Sequence, residues 1–264
     1  MLSSIEKKIK ISVVCPTHNS ARYITRAISS IFHQDEGPDQ LIFCDDGSVD
    51  NTVPILQDWI QKFSDRDTEM IVKKFPHQGP GATRNHGIAL ASNPWIAFLD
   101  SDDTWEKVKL LRVRTEIEKS EQKNFVLHWE KKIYSDGRQS LMRHGEEYKN
   151  ESSISRLLYK KNIFSTSAVV CRRELLQNLG GFDPTLPNAQ DYDLWLRASD
   201  QMKLLVIPEV LGHCFDEADS ISARPYANRY KSRLRVAWRH RKKGRSMECY
   251  LKFGKILFSR QWFV

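Results

Sequence analysis

Over its first hundred residues the chain alternates short β-branched apolar runs with segments whose apolar residues recur at helical spacing, a rhythm that leaves few folds open. KISVVCP (10–16), QLIFCD (40–45), EMIVKKF (69–75) and WIAFLD (95–100) read as strands. Helices fall between them: one carries Ile24, Ala27, Ile28 and Ile31, one Ile55, Leu56, Trp59 and Ile60, and the third is ATRNHGIALA (82–91). Apolar strands joined through helices predict an α/β fold, with a mostly parallel sheet flanked by helices on both faces. In open sheets of this kind ligands gather at the carboxyl ends of the strands. The residues that follow each strand are therefore the first to read for chemistry.

Beyond Trp105 the rhythm loosens. A charged helix (106–121) precedes strand-like NFVLHW (124–129) and a hairpin around Ser135-Asp136-Gly137. TSAVVCRR (166–173) reads as a buried strand leading into a helix that Gly180-Gly181 stops, and QDYDLWLRAS (190–199) as a helix. From Pro225 onward two helices rich in Lys, Arg and aromatics are expected. The odd number of cysteines, five with no CxxC pair, argues against a disulfide framework or zinc site and for a reduced, cytoplasmic compartment. The first residues lack the apolar core of a signal peptide, and no segment is apolar for about 18 residues, so neither export nor a membrane span is expected. The net charge of +8 is unevenly spread: residues 224–264 hold thirteen Lys/Arg against Glu248 alone, which leaves the other 223 residues at −4.

Three polar clusters fall at strand ends. CPTHNS (15–20) follows the first strand, DDGS (45–48) the second, and DSDD (100–103) the fourth. Asp100, Asp102 and Asp103 crowd like charges that raise one another's pKa, so the set calls for a cation. Carboxylates at two strand ends beside a Thr-His-Asn loop suit a nucleotide held by base and ribose, with Mg²⁺ or Mn²⁺ under its phosphates.

With these motifs assembled, the chain resembles the family 2 glycosyltransferases of the GT-A fold. VVCPTHNSARYITRAISSI, CDDGSVDNT, GPGATRNHGI, AFLDSDDTW, GGFDP and QDYDLWLR occur in the family's order and spacing, and the likeness covers roughly residues 10–222. It implies a catalytic domain over 1–223, with a nucleotide-binding half (10–105), an acceptor half (106–223), and a separate basic tail (224–264). It implies that Pro16, Thr17 and His18 line the base pocket, with His18 where the family often stacks an aromatic on uracil, and that Asp46 accepts from the base N3–H. Arg84 would approach donor phosphate or sugar. Asn19, Asp45 and Ser101 complete the expected nucleotide-sugar set. Asp100 and Asp102 form the DxD, with Asp102 the direct metal ligand and Asp100 the ribose or sugar contact beside it. Asp191 falls at the general base. The implied activity is inverting, metal-dependent transfer from a nucleotide sugar, UDP-linked first, to a glycan or lipid-linked hydroxyl in bacterial surface polysaccharide, lipopolysaccharide or glycoprotein assembly. A base would deprotonate the acceptor and a metal would stabilise the leaving nucleoside diphosphate.

The chain departs from the family in two places. Gln190-Asp191 stands where Glu-Asp is common, which keeps open a second class of function, a nucleotide-sugar-binding or membrane scaffold with weakened catalysis. A His usual after the last core strand has no clear match; His213 and Asp216 lie near its place and stay unassigned. Structural readings compete elsewhere. DDGS alone is an ordinary turn with a helix cap, Asp103 caps the following helix, GPG (79–81) breaks a loop, His86 packs locally, Trp195 and Leu196 are core, and Asp193 is surface or support for Asp191. In the tail, Tyr226, Tyr230, Trp238, Tyr250, Phe253, Trp262 and Phe263 are interleaved with the positive charges. An anionic membrane surface is favoured there, which would make the protein peripheral on the inner face of the cell membrane; a homodimer or solvated helix pair comes next, and nucleic acid is set aside.

Overall fold

The computed structural model describes residues 8–150, 153–217, 226–244 and 246–258; Pro225, Trp262 and Phe263 lie outside them. Strands β1 (Ile11–Thr17), β2 (Gln40–Asp45), β3 (Glu69–Lys74) and β4 (Trp95–Phe98) run parallel in the order β3-β2-β1-β4. Every residue of β1, β2 and β4 is buried, as a sheet covered on both faces requires. Helices α1 (Ile24–Phe32), α2 (Thr52–Lys62) and α3 (Pro80–Leu90) make the crossovers. One face packs on α1, α2 and α4 (Lys109–Glu118) through Ile24, Ile28, Leu56, Leu110 and Val113. The other face packs on α3, α5 (Ile154–Lys160), α6 (Arg173–Asn178) and α7 (Gln190–Ala198) through Ile88, Leu158, Leu176 and Leu194. Trp195 and Leu196 are core, as expected. Gly87 lets α3 lie close on the sheet, because a Cβ there would meet a Val14 methyl carbon.

The sheet continues as β4-β8-β6-β9-β5, with β8 (Val169–Arg172) antiparallel to both neighbours, β6 (Phe125–Ile133) parallel to β9 (Leu204–Phe215), and β5 (Thr104–Trp105) antiparallel at the edge. β7 (Gln139–Met142) pairs with β6 through the expected hairpin. Three elements have no counterpart in the sequence reading: β5, α5 and β9. Pro208 disguises β9. The register against β6 jumps from His128↔Ile207 to Trp129↔Val210, so the proline falls in an irregularity where no ladder N–H is required.

The tail helices α8 (Tyr226–Arg239) and α9 (Ser246–Phe258) pack on the second half of the sheet domain. Val236 and Ala237 are fully buried, Tyr159 donates its hydroxyl to the Ala237 carbonyl, and Arg156 pairs with Glu248 at 2.6 Å. The firmest tie is Asp193. Fully buried on α7, it accepts from Arg197 Nε (2.9 Å), Arg239 (2.8 Å) and His240 Nε2 (3.0 Å). Asp193 is buried, so the surface reading for it does not hold. Burial alone would raise its pKa, but the hydrogen bonds from His240 and Arg197 and the arginine charges outweigh that and pull it down to about 2. A depressed folded-state pKa stabilises above the unfolded value and is lost as pH falls. The stability difference between wild type and Asp193→Asn, measured by urea unfolding, should therefore shrink by about 1–2 kcal/mol between pH 6 and pH 2.5, most steeply below pH 4. A pH-independent difference would mean that the clamp is not ionic.

Candidate active site

The carboxyl ends of β1, β2 and β4 and the start of α7 converge on one cleft. At the end of β1, Pro16 is still in register with Cys44, and Thr17 is buried with its hydroxyl 3.4 Å from Asp45 Oδ2. Asp45 is itself fully buried, and its Oδ1 accepts the Ser48 N–H (2.8 Å), which closes the DDGS turn. That turn does not cap α2, which begins at Thr52 with its first N–H held by Asp50 Oδ1 (3.0 Å). Asn19, at φ 47°, latches the β1 loop to it: its N–H donates to Ser48 Oγ (2.8 Å) and its Oδ1 accepts from Val49 N (2.9 Å). Ser101 Oγ meets Ser20 Oγ at 2.8 Å, which joins the ends of β1 and β4.

Beyond the end of β1, the exposed His18 ring stacks on His77, with centroids 4.4 Å apart. Asp46 Oδ1 accepts from Gln78 N (2.7 Å) and Oδ2 from Gly79 N (2.9 Å), with His77 Nδ1 2.9 Å from Oδ2. The carboxylate expected to meet the base thus also fixes the loop into α3, where Gly79 at φ 91° ends the loop and Pro80 starts the helix, the breaker role expected of GPG. His77 was missed from sequence, although it follows the third strand and the strand-end rule reaches it. His86 stacks on Phe75 at 3.9 Å, a packing role as expected.

The electrostatic centre is Arg84 on α3. It is buried and donates to Asp100 Oδ1 (2.5 Å), while its Nε and other terminal nitrogen have no partner among the described residues. Burial would lower its pKa, but Asp100 first, then Asp191 and Asp102, hold it up. Burial and the Asp100 charge push Asp102 up to about 6, even against Arg26 and Arg84. Arg26 also donates to the Asp102 carbonyl and to Glu217 (2.6 Å). Asp103 does not cap α4, which begins at Lys109; it turns inward to accept from Ser167 Oγ (2.6 Å) and Phe215 N (3.3 Å).

Asp191 lies in the first turn of α7, half-buried, and accepts from Asn162 Nδ2 (3.3 Å). Burial raises its pKa, opposed by its own helix N-terminus, Arg84 and Asn162. The neighbouring Gln190 is buried, with Oε1 unpartnered among the described residues. His213 pairs with Glu106 (2.7 Å) and Asp216 with Lys132 (2.9 Å).

A metal fits the donor set. Asp100 and Asp102 offer hard carboxylate oxygens at one strand end, and burial first, then the Asp100 charge, raises the pKa of Asp102, a cost that a bound cation would relieve. Among the described residues, three ligating side chains converge within 4.8 Å only at His18, Asp46 and His77. Magnesium-type sites completed by phosphate oxygens need one or two carboxylates and no such cage.

Residues 12–180 match the family described as Glycosyl transferase family 2. The amylovoran biosynthesis glycosyltransferase AmsB of Erwinia amylovora is 26% identical over 96% of this chain and 91% of its own. An uncharacterized glycosyltransferase of Nostoc is 31% identical over 67% of this chain, which spans 55% of that relative's length. Among solved structures, S. aureus TarS 1-349 in complex with UDP-GlcNAc aligns with TM-score 0.70 at 22% identity, over 86% of this chain and 65% of TarS 1-349. The mannosyltransferase PcManGT of Pyrobaculum calidifontis, in complex with GDP-Man and Mn²⁺, aligns with TM-score 0.64 at 18% identity, over 96% of this chain and 71% of that one. Sequence family and sheet topology agree, and the chain belongs to glycosyl transferase family 2, with a GT-A fold.

Proposed function

We propose that the protein transfers a sugar, with inversion, from a UDP-sugar to a hydroxyl of a glycan or lipid-linked acceptor in bacterial surface polysaccharide assembly. The observation that carries this reading is the convergence of Arg84, Asp100, Asp102 and Asp191, from α3, the β4 end and α7, in one electrostatic cluster. Asp191 takes the proton from the acceptor hydroxyl. Its burial makes it a stronger base than a surface aspartate, and Arg84 keeps it from drifting far upward. The unpartnered guanidinium nitrogens of Arg84 suit donor phosphate oxygens. His18 offers a ring face for the base. Mn²⁺ or Mg²⁺ held by Asp102 and Asp100 would supply charge stabilisation for the departing diphosphate. The names of relatives support the substrate classes. The E. coli WfgD, 36% identical over 38% of this chain and 38% of its own, is named as transferring from UDP-Glc to a GlcNAc-diphosphoundecaprenol, and TarS was solved with UDP-GlcNAc.

The tail supports a place at a membrane surface. Among the described residues, no helix is long and apolar enough to cross a bilayer. Yet α8 and α9 expose Trp238 (61%), Met247 (74%), Tyr250 (79%) and Leu251 (57%) beside Lys231, Arg235, Arg241, Lys242 and Lys255. Aromatics among basic residues fit an anionic lipid interface, where each Lys or Arg contributes about 1 kcal/mol and buried apolar area adds an unscreened share.

Two experiments test these readings. Asp191→Asn should lower turnover by roughly 10²–10⁴ with donor affinity kept, whereas Asp102→Asn should abolish Mn²⁺-dependent UDP binding as well. Wild-type turnover in either variant contradicts its assigned role. Sedimentation with anionic vesicles should weaken but persist as salt rises, and should fall sharply in Trp238→Ser/Tyr250→Ser. Unchanged sedimentation would remove the tail as an anchor. Point variants serve better than truncation here, because deleting α8 would strip Arg239 and His240 from the buried Asp193.

A further inference from the structure

One short segment touches both halves of the cleft. Residues 162–167 run between α5 and β8, and the sequence reading assigned none of them to the site. Ser167, fully buried on the 3₁₀ turn Thr166–Ala168, accepts the Asp100 N–H at its Oγ (3.1 Å) and donates the same hydroxyl to Asp103 Oδ2 (2.6 Å). Its carbonyl accepts from Lys109 Nζ (2.8 Å) and Trp105 Nε1 (3.1 Å). Lys109 is fully buried, with its Nζ 3.6 Å from the Trp105 ring centroid. Four residues earlier, the Ile163 carbonyl meets His144 Nδ1 (2.6 Å), and His144 Nε2 pairs with the fully buried Glu130 at 3.0 Å. Asn162 then reaches out of this anchored stretch to Asp191 Oδ2 (3.3 Å).

We propose that Asn162–Ser167 is a positioning brace, in which Ser167 sets the orientation of the Asp100-Ser101-Asp102 strand end and Asn162 sets that of Asp191. The inference deepens the proposed function and rests on it for the role of Asp191. The geometry gives Ser167 a task that neither neighbour can take over. One hydroxyl fixes the backbone of Asp100 and also draws Asp103 inward, where Phe215 N holds its other oxygen. Asp103 is thereby kept out of the cleft, and the adjacent Asp102 faces a donor with one carboxylate fewer competing for the same cation. A buried hydroxyl used as donor and acceptor at once leaves two groups unsatisfied when it is removed. Asn162 is exposed to the cleft, yet its backbone is tethered through Ile163, so the amide is presented from a fixed base.

The test separates the two ends. Titration of the full-length protein with UDP in the presence of Mn²⁺ should show Ser167→Ala binding about tenfold more weakly, with Ser167→Thr, which keeps the hydroxyl, restoring most of the affinity. Where Ser167→Ala does not fold, Ser167→Cys fills the same space with a poor hydrogen-bonding group and should show the same loss. Asn162→Ala should lower kcat about tenfold with the donor KM unchanged. Wild-type UDP affinity in Ser167→Ala or Ser167→Cys, or a Thr variant as weak as Ala, overturns the donor end. An Asn162→Ala variant that raises the donor KM while sparing kcat overturns the acceptor end. Asp191→Asn in the same series keeps the two readings distinguishable. If its turnover is unchanged, the base assignment fails together with the Asn162 end, while the Ser167 end is still decided by binding alone.

Discussion

A single buried guanidinium organises the cleft. Arg84 sits near three aspartates that arrive from separate elements, Asp100 and Asp102 from the end of β4 and Asp191 from α7, and it hydrogen-bonds the first of them directly. Without it, three carboxylates would share a partly buried space and repel one another. With it, a positive charge stands among them, and two of its own nitrogens have no partner among the described residues. The rest of the architecture delivers this arginine. Gly79 and Pro80 set the start of α3, Asp46 clasps the loop before it, and Gly87 brings the helix down onto β1. Asn85, next to Arg84, exchanges hydrogen bonds of 2.8 Å with both backbone groups of Phe182, so the GGFDP turn is tied to the same helix.

The tail belongs to this arrangement more closely than its composition implies. Asp193 lies two residues after Asp191, in the same first turn of α7, and is held by Arg239 and His240 from the end of α8. Arg197 completes the contact and reaches the carbonyls of Leu179 and Gly181 (both 2.6 Å). The turn that presents Asp191 is thus clamped from the tail on one side and from the GGFDP turn on the other. Basic residues that read as a solvated or lipid-facing set divide into two groups, one that includes Arg239, paired with the buried Asp193 of α7, and the other exposed with Trp238 and Tyr250.

The first half of the fold was legible because its signals are local. β2 spans the residues read for it, and β1, β3, α1 and α2 differ by a residue or a few at their ends. The strand-end carboxylates Asp100 and Asp102 were legible as well, since parallel strands bring their carboxyl ends together, whereas Arg84 on α3 was given by the family resemblance alone. The missing pieces are those whose meaning is tertiary. No strand was read over β9, which contains Pro208 and Gly212, yet the proline sits at a register jump and Gly212 faces Glu130 and His128 where a larger residue would crowd them. Ser167 and Asn162 sit in a stretch without a motif, and nothing in their neighbours' identities predicts that β8 would insert beside β4 and carry them to the cleft. Asp103 read as a helix cap from its position, but burial and Ser167 draw it the other way.

The central claim is that Arg84 assembles the site and reads the charge of the donor. Calorimetric titration of wild type and Arg84→Met with UDP and with uridine, both with Mn²⁺ present, tests it most directly. Arg84→Met should lose tenfold or more in UDP affinity with uridine affinity little changed, because His18 and Asp46, the residues proposed to meet the base, lie at the ends of β1 and β2 rather than on α3. Equal losses for uridine and UDP would show that Arg84 serves the fold alone, and unchanged UDP affinity would remove it from the donor site.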